Sequence, residues 1–212
     1  MILKPLDVIL YTGHKPVSLW VRLCTTVRYG IPFKACRSHV DIRYNDKLNI
    51  SAELSGTKLV EFEKALKHCD ITVYRFRQLP PLECFYDVAN KLLGRLYAYA
   101  RYALDAARIF SFCFAVTGLL LSLFTLRVKI GMFAAVGLLQ ALTVWLRKLD
   151  IQSDDCSEVV SVILSEIGLM SHLPKARNEF PNSIELKMQL LCRYGLADKV
   201  GTWDHKKQKW VD

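Results

Sequence analysis

The stretch Asp154-Asp155-Cys156-Ser157-Glu158-Val159-Val160, read with Cys36-Arg37-Ser38-His39-Val40-Asp41-Ile42 far upstream, decides the fold of this chain. Asp155 as N-cap and Glu158 three residues later make a capping-box start, and Cys156, Val159, Val160, Ile163, Leu164 and Ile167 share one helical face. Gly168 then closes the helix. The thiol therefore sits in the first turn, facing the rest of the domain, where unpaired backbone amides and the macrodipole favour a thiolate. Asp154, Asp155 and Glu158 oppose that charge, so a reactive thiol here needs an imidazolium beside it. The plain alternative is a small apolar cysteine on a core helix.

In the upstream stretch Val40, Ile42 and Tyr44 alternate with His39, Asp41 and Arg43, which predicts a strand with one apolar face and one polar face carrying the imidazole. A lone strand histidine is usually a surface or hydrogen-bonded residue. Paired with a thiol in the first turn of a helix, it supplies the base that a cysteine nucleophile needs.

Several segments in this order resemble the circularly permuted NlpC-type papain-like hydrolases, relatives of the lecithin:retinol acyltransferase group. Cys156-Ser157-Glu158-Val159-Val160 is similar to the family's Cys-Ser-Glu-Leu-Val nucleophile motif, the most specific of the matches. Leu3 to Leu10 resembles the opening strand, with Leu6-Asp7 where the family usually has Gly-Asp, and Ser38-His39-Val40 resembles the histidine strand. Ile50-Ser51-Ala52-Glu53 followed by Gly56 is similar to the next strand, which often bears an acidic residue. Leu93-Gly94-Arg95-Leu96-Tyr97 resembles a Gly-Lys-Pro-Tyr turn with Leu96 for proline, and Phe180-Pro181-Asn182-Ser183 a late Pro-Asn loop.

The resemblance implies an α+β, circularly permuted papain-like fold with an antiparallel sheet, because histidine precedes cysteine here and the order is reversed in ordinary papain-like enzymes. It also implies acyl transfer, with Cys156 as nucleophile and His39 as general base and later acid. An oxyanion would be held by the Cys156 amide and a second donor that the sequence does not identify. Glu53 is the preferred third residue, since a carboxylate on an adjacent strand fixes the imidazole tautomer. Its position is offset by about two residues from the family's acidic one, and Asp41, on the same strand face as His39, is the runner-up. Peptide or peptidoglycan-stem amides, other amides or thioesters, and lipid esters all remain open as substrates. Amide hydrolysis leads; the alternatives are a lipid acyltransferase or lipase at the membrane, and a catalytically silent membrane-binding protein of the same fold.

The 212 residues suffice for one good-sized core, and the motifs at both ends must meet in it, so the chain reads as a single domain, 1–212, with an insertion. Seven cysteines, odd in number and without Cys-x-x-Cys spacing, argue against both a disulfide framework and a zinc site, and no cofactor or metal is expected. Met1 to Pro5 runs directly into the first strand with no secretory signal, which suggests a reducing, cytoplasmic-side catalytic domain.

Strands are expected near 7–11, 38–44, 49–54, 58–62 and 71–76, with helices from Pro16 to Tyr29, ended by Gly30, and from Pro81 toward Gly94. Asp204 to Lys209 reads as a solvated tail. Ile109 to Leu126 and Ile130 to Leu146 are uncharged runs separated by Arg127-Val128-Lys129. As helices each spans about 26 Å, slightly under the hydrocarbon thickness of a bilayer, and together they form an inserted apolar hairpin at 109–146. Membrane association is favoured over two core helices or a hydrophobic lid, because a domain of this size could not bury both on all sides. Arg101, Arg108, Arg147 and Lys148 flank the base and weigh toward the cytoplasmic side. The net charge of +9 points to anionic lipid; no nucleic-acid motif accompanies it, and the oligomeric state is not legible.

Overall fold

The computed structural model describes residues 1–30, 32–53, 55–95, 155–171 and 180–211 and, of the central segment, residue 137 alone. The chain divides into two units, Met1–Tyr97 with Asp154–Asp212, and Ala98–Ser153. The apolar hairpin expected at 109–146 lies outside the described residues. Among the described residues no helix is long and apolar enough to cross a membrane.

The first unit is α+β. Its strands are β1 (Val8–Gly13), β2 (His39–Arg43), β3 (Leu48–Glu53), β4 (Gly56–Glu61), β5 (Cys69–Phe76), β6 (Ala197–Asp204) and β7 (Lys209–Val211). They form one seven-stranded sheet in the order β4-β3-β2-β1-β5-β6-β7, with every neighbouring pair antiparallel. The helices are α1 (Pro16–Tyr29), α2 (Glu63–Leu66), α3 (Leu82–Leu92), α4 (Cys156–Glu166) and α5 (Pro181–Arg193).

Strand alternation sorts the core to two faces. Val8 and Leu10 of β1, Val40 and Ile42 of β2 and Ile50 of β3 are fully buried in one cluster with Phe85 of α3, Ile163 and Leu164 of α4, and Ile184 and Met188 of α5. Ile9, Tyr11, Ile71 and Val73 point the other way and pack with Leu3 and Phe62, beside Ala65, Trp203 and Trp210. The polar positions of β2 lie on this second face, and two of them are buried as well: Asp41 is 3 % and Arg43 5 % exposed. Arg43 remains tolerable there because it donates to Asn49 Oδ1 at 3.0 Å and lies over the Phe62 ring.

Local chemistry sets the element ends. Pro16 opens α1, and Gly30 closes it in the left-handed region with its amide on the Thr26 carbonyl at 2.9 Å. Leu6, where the resembled family has glycine, is also left-handed at φ 69° and is held by two anchors. Its side chain is fully buried, and its amide donates to the Arg43 carbonyl at 2.9 Å. Asp7, equally buried, takes a two-pronged hydrogen bond from Arg75, 2.7 Å at each oxygen, which provides the pairing a buried carboxylate requires.

The C-terminus departs from expectation. Asp204 to Lys209 is the turn of a β6–β7 hairpin rather than a solvated tail. Asp204 Oδ1 accepts from the Lys206 and Lys207 amides, and Trp203 pairs with Trp210 across the strands, with ring centroids 5.5 Å apart. The cross-strand aromatic pair outweighs the lysine-rich turn composition.

Candidate active site

The first turn of α4 is built as its sequence reads. Asp155 Oδ1 accepts from the Ser157 and Glu158 amides at 2.9 Å each, and Glu158 accepts from the Asp155 amide at 3.3 Å. This capping box leaves the Cys156 N–H, the first of the helix, outside its own hydrogen bonds. At the far end Gly168, at φ 83°, closes the helix, and Met170 donates back to the Leu164 carbonyl.

His39 begins β2 on the strand that α4 crosses. Its Nε2 lies 2.7 Å from Ser51 Oγ of β3 and 2.8 Å from Asp41 Oδ1. The serine contact has good hydrogen-bond geometry; the carboxylate contact is an ion pair off the line of the ring N–H, since Asp41 Oδ1 takes no aligned hydrogen bond. The Cys156 thiol is near enough to the ring to bear on its titration. Burial alone would lower the His39 pKa. The Asp41 carboxylate, then the sulfur of Cys156, outweigh it and hold the imidazole well above its ordinary value.

Behind His39 lies a polar network. Asn49 Nδ2 donates to Tyr11 Oη at 3.0 Å and more weakly to Asp41 Oδ2 at 3.5 Å, and the Tyr11 ring sits 5.6 Å from the imidazole. Burial first, and then the Asp41 charge, push the Tyr11 hydroxyl pKa well up, so it stays protonated. The entry to β2 is clamped from α5. Asn182 accepts from the Arg37 amide at 2.7 Å and donates to the Ala35 carbonyl at 2.9 Å, while Arg37 forks onto Glu185.

Cys156, His39 and Asp41 are thus brought together, and Glu53 is not. Glu53 is half exposed at the end of β3 and pairs with Lys58 at 2.8 Å. The β3 residue in contact with His39 is Ser51, two positions earlier. Ser51 was legible in part, because it shares a strand face with Glu53 by simple alternation. The Tyr11–Asn49 contact joins residues far apart in sequence and left no signal.

An open cleft of about 870 Å³ adjoins the cluster, lined by Tyr11, His39, Asp41, Asn49, Ser51 and Glu53 among others. Cys156 is not among the described residues that line it: the residue is 2 % exposed and belongs to the apolar core that α4 shares with the sheet. His39 therefore opens on the cleft, while Cys156 lies in the core. No protein-family model matches the chain, and no curated protein matches it in sequence.

Proposed function

We propose that the chain is a cysteine-dependent hydrolase of the permuted papain-like type, cleaving an amide in a peptide or peptidoglycan-type substrate. The observation that carries this reading is one imidazole held at Nε2 by Asp41 and Ser51, with Asp41 and the neighbouring Cys156 raising its pKa. In this mechanism the raised His39 pKa favours a thiolate–imidazolium pair. The Cys156 thiolate attacks the carbonyl carbon, the Cys156 amide receives the developing oxyanion, and His39 gives its proton to the leaving amine. His39 then takes a proton from water, the resulting hydroxide cleaves the acyl-thioester, and the acid is released with Cys156 free again. Asp41 takes the orienting role in place of Glu53, because it is the carboxylate in contact with the ring.

The burial of Cys156 favours a second reading, a catalytically silent protein that keeps this arrangement. An electrophilic thiol probe separates the two. The hydrolase reading expects Cys156 to label rapidly, His39→Ala to slow that labelling by about 10²-fold or more, and Cys156→Ser to abolish it. Labelling of Cys156 at the same rate with and without His39 would sink the dyad and leave the silent reading.

A further inference from the structure

His14, Asp70 and His205 converge from three separate parts of the chain. His14 follows β1, Asp70 is the second residue of β5 and His205 follows β6. Thr12 faces Asp70 across one edge of β1, and Tyr11 faces His39 across the other. The cluster thus lies at the same end of the sheet as His39, about two strand spacings or roughly 10 Å away.

The Asp70 carboxylate contacts both rings, with Oδ1 2.7 Å from His205 Nδ1 and Oδ2 3.3 Å from His14 Nε2. One donor atom from each residue lies within 4.8 Å of the other two, and the imidazole centroids are 4.4 Å apart. The His205 backbone amide also donates to Asp70 Oδ1 at 3.1 Å, a second tie between the two residues. A tetrahedral ion about 2.0–2.1 Å from each ligand needs donor separations near 3.3 Å, which the observed contacts bracket. Each nitrogen facing the carboxylate presents a lone pair once its proton moves to the other ring nitrogen. Two imidazoles and one carboxylate suit a borderline dication; magnesium and calcium prefer all-oxygen sets.

We propose that His14, Asp70 and His205 form a zinc-class divalent metal site with a fourth position open to water. The site joins the ends of β1, β5 and β6, so the ion binds the folded chain and stabilises it. From cysteine spacing the sequence predicts no metal, and these ligands are not cysteines.

The test uses the full chain, freed of metal and titrated with Co²⁺, then with Zn²⁺ as competitor, alongside melting curves with and without Zn²⁺. One equivalent of Co²⁺ should give the visible d–d bands of a nitrogen–oxygen tetrahedral site without thiolate charge-transfer bands, and Zn²⁺ should displace it and raise the melting temperature. His14→Gln and His205→Gln should each weaken binding by at least about tenfold, since altering outer-shell partners alone costs that much. His14 is exposed, so His14→Gln carries the test if His205→Gln does not fold. Failure to bind Co²⁺, thiolate bands in its spectrum, or unchanged affinity in His14→Gln would each overturn the site, the first leaving only a proton-sharing cluster.

Discussion

His39 is governed by what surrounds its two nitrogens, and a change to one neighbour should read out on the ring itself. Asp41→Asn removes the largest influence raising its pKa, so an NMR titration of His39 should give a value above the ordinary 6.5 in the parent and a lower one in the variant. Because the folded value is raised, the stabilisation of the imidazolium is complete below about pH 6.5 and is lost as pH rises through the folded value. The alkaline limb of activity should follow the same titration and move to lower pH in Asp41→Asn, with a fall in turnover of about 10²-fold. Glu53→Gln should leave the His39 titration where it is, and a shift there with none in Asp41→Asn would restore Glu53 to the orienting role. The pair Cys156 and His39 was legible because each carries its own local pattern. The choice between the two carboxylates was not, since it depends on which strand residue faces the ring, and alternation alone leaves Ser51 and Glu53 on one face.

Among the elements, α4 has the most to lose from a single atom change. Its first turn rests on one carboxylate that accepts two amides, so Asp155→Ala should cost about 1 kcal/mol in urea unfolding. Asp155→Asn, which keeps one acceptor oxygen, should cost less. If Asp155→Ala instead leaves the unfolding midpoint unchanged, the cap contributes nothing to stability. Both ends of α1 and of α4 could be read directly, because proline, glycine and the Asp-x-x-Glu spacing act on the backbone within a few residues. The β6–β7 hairpin escaped that reading: its turn is rich in lysine, and its strands are held by Trp203 against Trp210 and by pairing with β5, whose sequence lies far away.

At the scale of the whole molecule, we propose from the uncharged runs at 109–126 and 130–146 and the net charge of +9 that the protein associates with a membrane. The protein should pellet with membranes and stay there through high salt and alkaline carbonate, because screening removes the attraction of lysine and arginine but not hydrocarbon burial. Release by salt alone would leave charge as the sole attachment. The α+β class could be read from alternation and helix signals; the strand order could not, because neighbours such as β5 and β6 are distant in sequence. That order has a consequence for synthesis. Strands β1 to β5 are complete before residue 98, yet α4 and α5, which cover the face bearing Val8, Leu10, Val40 and Ile42, are made only after residues 98–153. At ordinary translation rates of about 5–20 residues per second, that face waits several seconds for α4 and α5, with α3 already in place, while the most apolar part of the chain is emerging. The order in which the segments emerge thus leaves that apolar face waiting for α4 and α5 until the C-terminal part of the chain is made.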